Sequence, residues 1–394
     1  MKTGIKNSYK ATKCASYIGY VTQAIVNNFA PLLFVTFSSQ FDFDLADLSV
    51  LIVLNFATQM CIDFTSAWFV KPLGLKRCCV LAHVFAALGL VFYGILPFLM
   101  NPFTGLVIAN MFCAIGGGLD EVVISPVVEA LPGDAKASAM SMLHSFYSWG
   151  QVMVVAVSTV IFLLLGVEHW PVLSIIWALI PAVNSVLFCL VPVCELNEGT
   201  EDTPVKELLS RKIFWAFLII MVCAGASELA MSQWASLFAE EGLHVSKTTG
   251  DLLGPCSFAL LMGIARLFFG IFGEKVDLAK FIFFSGILCI ISYVLVAFSE
   301  NPYLSLSGCA LCGLSVGLMW PGTYSLASGR FEHGGTKMFS ILALFGDIGC
   351  TFGPALAGFV GDATGFIRDG FKVALLFPVI LSVCMIFLLQ QKKK

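Results

Sequence analysis

A chain of 394 residues with 58% hydrophobic and only 12% charged residues has too few polar side chains to cover a water-soluble globule, so its solvent is lipid. The net charge of -3 says little in itself, and no nucleic-acid partner is expected. The positions of the basic residues carry more information than their sum.

A bilayer core of about 30 Å takes about 20 apolar residues per helix. Gly, Pro or charged breaks divide the sequence into twelve segments of about that length, at 14–37, 48–70, 77–99, 103–131, 137–165, 170–193, 213–239, 249–273, 279–299, 302–329, 337–361 and 371–390. Val152 to Val157 and Ile161 to Leu165 are continuously apolar, which excludes the alternation of a membrane β-barrel. The prediction is an all-α membrane protein.

Basic residues resist translocation. With the N-terminus inside, eighteen of the 22 Lys and Arg fall on the cytoplasmic side, Lys247, Arg368 and Lys372 fall outside, and Arg266 lies within a helix. Both termini are therefore expected in the cytoplasm, and the chain is expected in a bacterial cytoplasmic (inner) membrane as a monomer. The basic N-terminus precedes a long apolar run without a small-residue cleavage site, and reads as a retained first helix.

The first segment places Tyr20, Gln23 and Asn27 on one face, followed by Asn28 and a break at Pro31. The second places Asn55, Gln59 and Asp63 at i, i+4 and i+8. Uncharged amides donate and accept at once, as sugar hydroxyls do, so these faces suit a hydroxyl-bearing solute or hydrogen bonds between helices.

An ionisable group inside a membrane helix costs roughly 2.5 to 3.5 kcal/mol and needs a partner or a watery cavity. The fourth segment carries Gly116-Gly117-Gly118-Leu119-Asp120-Glu121, then Pro126 and Glu129. The glycines allow close helix approach. Ten residues back from Leu131, at about 1.5 Å each, Glu121 sits about 15 Å from the cytoplasmic end, near the membrane centre. A carboxyl there can be neutral or charged, as proton coupling requires, or can be a permanently hydrogen-bonded buried acid. Asp120 is about 100° around the helix, so one of the two faces a cavity and the other a neighbouring helix. Glu129 is expected to meet Lys136.

The fifth segment repeats His144, Tyr147, Ser148 and Gln151 at i, i+3, i+4 and i+7, one polar face on an apolar helix. His144 lies near the depth of Glu121 and could share its proton or be structural. The stretch from Cys194 to Lys212 is the longest hydrophilic interior stretch and reads as a cytoplasmic linker, giving bundles at 1–193 and 213–394 with the linker at 194–212. In the second half Glu228 and Ser232 are one turn apart, Trp234 follows, and Trp320, Pro321 and Tyr324 lie near mid-depth. Asp347 is a second proton-coupling candidate or the partner of Arg266. Trp170 and Trp215 fit the membrane interface.

The fourteen Cys are scattered through apolar segments and read as packing, without disulfides or a metal site. No G-x-x-x-x-G-K-[ST] occurs, so gradients rather than ATP are expected to drive transport, with no cofactor and no enzyme activity.

An internal repeat joins the halves. Asn101-Pro102-Phe103 opens the fourth segment and Asn301-Pro302-Tyr303 the tenth, with Gly117 matching Gly317 and Ser125 matching Ser325. After a one-residue slip, Ser141, Phe146 and Gly150 match Ser340, Phe345 and Gly349. Two pseudo-symmetric six-helix bundles repeated about an axis normal to the membrane resemble the major facilitator superfamily, a layout that implies a solute site between the halves near mid-membrane and rocking of the halves.

Within that superfamily, Gly117-Gly118-Leu119-Asp120-Glu121 with Pro126 and Phe146-Tyr147-Ser148-Trp149-Gly150 resemble the G-L-x-E-x-x-x-x-P and F-N-S-F-G of the fucose permease-like sugar/proton symporters. Gly317-Leu318-Met319-Trp320-Pro321 with Ser325-Leu326-Ala327 is similar to that branch's tenth helix. The resemblance implies that Glu121 is the proton-binding carboxyl. The chain departs from the branch at Pro31, where an acid is expected, and at Tyr147, which replaces Asn; Lys71 replaces the Asp of the superfamily's loop signature.

The sequence thus predicts a secondary active transporter, a proton-coupled importer of a sugar or similar small polar solute by alternating access. Proton coupling falls to Glu121, His144, Asp347 and Glu228. Solute contact falls to Gln23, Asn27, Asn28, Gln59, Tyr147, Gln151, Trp234, Trp320 and Tyr324. A proton-driven efflux antiporter for amphipathic compounds, suggested by 36 Phe and 13 Met, is the alternative.

Overall fold

A computed structural model describes residues 8–131, 136–194, 204–272, 277–331 and 335–391. It is helical, with no strand among the described residues, and twelve helices are long and apolar enough to cross a membrane. They are α1 (Tyr9–Phe41), α2 (Leu45–Leu73), α3 (Leu75–Leu99), α4 (Pro102–Glu129), α5 (Lys136–Leu165), α6 (Val167–Leu190), α7 (Lys212–Gly242), α8 (Lys247–Phe269), α9 (Leu278–Phe298), α10 (Pro302–Ser328), α11 (Gly335–Thr364) and α12 (Ile367–Gln391). The chain is a multi-pass membrane protein. Side chains such as Leu164, 73% exposed, and Trp68, 66% exposed, need an apolar solvent around them.

Proline accounts for most of the breaks. A proline inside a helix removes one N–H and its ring clashes with the carbonyl four residues back. Pro31 lies in a 3₁₀ turn, Ala30–Leu33, that interrupts α1. Pro181, Pro321 and Pro378 follow, by four residues, Trp177, Gly317 and Ala374, where α6, α10 and α12 each break. Pro255 falls in a π-helical segment of α8, Leu252–Cys256, four residues after Asp251. Only the Pro31 break is read from the sequence. Pro126 and Pro354 sit within unbroken helices, so packing decides which prolines break the chain.

The chain forms two compact units, one of Met1–Phe43 with Leu54–Asn197 and the other of Asp44–Val53 with Glu198–Lys394. The expected linker falls largely on residues 195–203, outside the described residues.

The repeat reappears as contacts. Asn101 caps α4, its side chain accepting from the Thr104 amide at 3.1 Å; Asn301 caps α10, accepting from the Tyr303 and Leu304 amides at 3.0 and 3.2 Å. In the first unit α5 lies so close to α1 that a Cβ on Gly150 would meet the Ala24 Cβ at 2.9 Å. In the second, α11 lies as close to α7: a Cβ on Gly349 would strike the Val222 carbonyl and come within 3.0 Å of the Ala226 nitrogen. Matching glycines thus do matching work, holding corresponding helix pairs in backbone contact.

Candidate functional site

In the first unit the amide-bearing faces of α1 and α2 meet α4 and α5. Gln23 Nε2 donates to Glu121 Oε2 at 2.8 Å. Asn27 Oδ1 accepts from Gln59 Nε2 at 2.9 Å and from Asn55 Nδ2 at 3.3 Å. Asn28 Nδ2 donates to the Ala24 carbonyl at 2.9 Å and to the Tyr147 hydroxyl at 3.3 Å. Tyr20 and Ser125 share a 2.8 Å hydroxyl bond, and the exposed His144 ring stands edge-on to Tyr20 with centroids 5.2 Å apart. Gln151 is buried and Glu121 half-buried.

Periodicity finds these residues because each occupies the inner stripe of its helix. The bonds among the amides fix their donors and acceptors in direction, and Glu121 sits in this network against a neutral donor. The 100° between Asp120 and Glu121 separates them as expected. Glu121 faces Gln23, and Asp120 faces α3, where its Oδ1 is 3.3 Å from His83 Nδ1. Sequence reasoning assigns no role to Asp63; its carboxylate and that of Glu121 come within 4.8 Å. Only a fold can bring α2 and α4 together in that way.

In the second unit Arg266 Nη2 lies 3.6 Å from Glu228 Oε1, and Arg266 Nε donates to the Gly317 carbonyl at 3.3 Å. Pro321 has no N–H to give that carbonyl, and Arg266 replaces the missing donor. Arg266 thus stands beside Glu228, a partner the sequence does not name. Asp347 is buried on α11, one turn before Thr351, whose hydroxyl donates to the Asp347 backbone carbonyl at 2.9 Å. Trp320 and Tyr324 are half-buried, with ring centroids 6.3 Å apart, and the Trp320 ring occupies the space that a side chain on Gly346 would need.

Two tryptophans depart from expectation. Trp234, predicted to touch solute, is 0% exposed and donates its indole N–H to the Pro354 carbonyl at 2.9 Å, so it packs α7 against α11. Trp170, predicted at the membrane interface, is also sealed and donates to Gln40 Oε1 at 3.1 Å. Both are fully satisfied anchors, which helix position alone does not distinguish from wetted aromatics. Trp215 is half-exposed and donates to the Leu209 carbonyl. The expected Glu129–Lys136 contact falls on Lys136, whose side chain lies outside the described residues.

The family model of the Major Facilitator Superfamily matches residues 16–336 and 241–394. The chain belongs to that superfamily. Among solved structures the FucP transporter in its outward conformation is similar to it, with 16% identity, a TM-score of 0.66, and coverage of 95% of this chain and 98% of that one. A single-residue variant of the E. coli fucose:proton symporter FucP is similar at 17% identity and a TM-score of 0.65, again covering 95% and 98%. A bacterial homologue of the human lysosomal transporter Spinster, inward-facing and unoccupied, is similar at 12% identity and a TM-score of 0.73, covering 95% and 96%. At these identities the likeness is one of major facilitator fold. No curated protein sequence matches the chain.

Proposed function

We propose that this major facilitator transporter is a proton-coupled importer of a sugar or a similar small polar solute, working by alternating access with Glu121 as the coupling carboxyl. The observation that carries the reading is the environment of Glu121: a membrane-helix acid held at 2.8 Å by the neutral Gln23 amide. The Asn27–Gln59 and Asn28–Tyr147 bonds add uncharged donors and acceptors in the same unit. A carboxyl inside a membrane helix and hydrogen-bonded to an amide can exist charged or neutral, as proton coupling requires, and amides suit hydroxyl-rich ligands. FucP, described as a fucose:proton symporter, supports the same assignment by likeness of fold.

His144, beside Tyr20, completes the proton-handling set of the first unit in this reading, with Gln151 and Tyr147 as solute contacts. From the second unit the proposal retains Asp347, Glu228, Trp320 and Tyr324, and omits the sealed Trp234. Residence in a bacterial inner membrane with both termini cytoplasmic belongs to the same proposal.

The test is accumulation in proteoliposomes under an imposed pH gradient, over a panel of monosaccharides and other polyhydroxylated solutes. At least one should accumulate against its gradient and protect the protein against thermal unfolding. Glu121→Gln should abolish that accumulation while leaving solute exchange at equal pH. Undiminished accumulation by the variant would show the coupling assignment to be wrong. Protection by lipophilic cations alone would turn the reading to efflux.

A further inference from the structure

The first unit contains a second acid that the proposed cycle does not use. Asp120 is completely buried on α4, and its nearest charged or titratable neighbours are His83 and Cys79, both on α3 and both completely buried. No Lys or Arg is paired with Asp120 among the described residues, and neither carboxyl oxygen accepts a hydrogen bond. Such a group in the middle of a packed bundle is costly as an anion unless a cation stands beside it. Everything therefore depends on whether His83 is that cation.

The partners of His83 answer the question. Its Nδ1 lies 2.8 Å from the Cys79 backbone carbonyl, which can only accept, so Nδ1 carries a hydrogen. Its Nε2 lies 2.7 Å from Asn184 Nδ2 on α6, and the same amide nitrogen donates to the Ala15 carbonyl of α1 at 3.0 Å. Asn184 thus gives one hydrogen to Ala15 and the other to Nε2, which must offer a lone pair. Turning the amide over would set its oxygen against the Ala15 carbonyl, acceptor facing acceptor. With a hydrogen on Nδ1 and a lone pair on Nε2, the imidazole is neutral.

We propose that Asp120, His83 and Asn184 form a proton-holding site inside the first unit, distinct from Glu121, in which Asp120 is the neutral acid and His83 the neutral Nδ1–H tautomer. The packing around it explains why the site needs no ions. A Cβ on Gly116 would lie 2.6 Å from the Ala86 nitrogen, so α3 and α4 touch through their backbones. The Phe188 ring, 5.2 Å from the imidazole, closes the α6 side. Packing this close leaves little room for the water that would solvate an isolated charge. One proton is stored one residue along the helix from the coupling acid and faces away from it.

The purified protein in nanodiscs tests this without reference to solute. Infrared difference spectra of wild type against Asp120→Asn at neutral pH should show the loss of one protonated-carboxyl carbonyl band, and Asp120→Asn, an isosteric neutral mimic, should fold. Nitrogen-15 spectra of histidine-labelled wild type at about pH 9, well above the ordinary histidine range, should contain no imidazolium signal. A persistent imidazolium there that is lost in His83→Gln would reveal a His83⁺–Asp120⁻ ion pair and overturn the proposal. So would an unchanged carboxyl band in the variant. If Asp120→Asn fails to fold, the nitrogen spectra of wild type and His83→Gln still test whether the ion pair exists.

Discussion

Gln23 is the side chain through which the proposed coupling can be tuned without removing the acid. Its amide N–H holds the Glu121 carboxyl in place at 2.8 Å, and a hydrogen bond to a charged group is worth about 1.5 to 3 kcal/mol. Gln23→Leu removes that donor and leaves the acid. It should therefore lower gradient-driven accumulation by roughly tenfold or more, with solute exchange at equal pH and saturating concentration largely retained. Undiminished accumulation would remove Gln23 from that role. The residue scale also shows where sequence reading stops. The stripes of Gln23, Asn27, Gln59 and Glu121 follow from helical period alone, but the pairing of Arg266 with Glu228 does not. That pairing needs α7, α8 and the broken α10 to be adjacent, and the carbonyl that Arg266 takes is vacant only because Pro321 cannot donate to it.

Among the helices, backbone contact is the controlling variable, and two glycines of opposite character separate it from general sensitivity to substitution. Gly116 lets α4 meet α3: a Cβ there would approach the Ala86 nitrogen at 2.6 Å and the Ala82 carbonyl at 2.8 Å, and backbone cannot step aside. Gly329 ends α10 with ordinary right-handed dihedrals, and a Cβ there would meet nothing nearer than 3.6 Å. Gly116→Leu should cost at least about 1 to 3 kcal/mol as overpacking. Gly329→Ala should be neutral or stabilise by about 0.4 to 1 kcal/mol through the unfolded chain. Thermal unfolding in one detergent, with all other conditions fixed, compares the two; equal effects would dismiss the contact as the cause. The twelve spans themselves were legible because lipid requires about 20 apolar residues whatever the packing. The interruptions other than that at Pro31 were not, since Pro181, Pro321 and Pro378 accompany breaks while Pro126 and Pro354 do not. Trp234 illustrates the same limit: its spacing marks it as inward, and only the Pro354 carbonyl shows that inward means packed.

For the whole molecule the open quantity is orientation, and the basic residues that violate the expected asymmetry are informative. Lys247 lies 3.0 Å from Glu240 and 3.2 Å from Asp251, Lys372 lies 2.6 Å from Asp369, and the Arg368 guanidinium stands 5.8 Å over the Phe238 ring. All three are at the end of the second unit formed by the last turn of α7 and the first turns of α8 and α12, and each has a local use there. Lys247 holds the π-helical end of α7 to the start of α8, with Ser236 bridging to Asp251 at 2.5 Å. Under the expected orientation these few cations fall on the disfavoured side, where each has a local structural use, and the other eighteen basic residues are expected to set the topology. A green fluorescent protein joined after Lys394 should therefore fluoresce in a bacterial host, and alkaline phosphatase joined there should be inactive. Alkaline phosphatase inserted at Gly365, between α11 and α12, should be active. The opposite pattern would invert the molecule, placing the outer Lys247 cluster in the cytoplasm and reversing the side from which Glu121 is expected to take its proton.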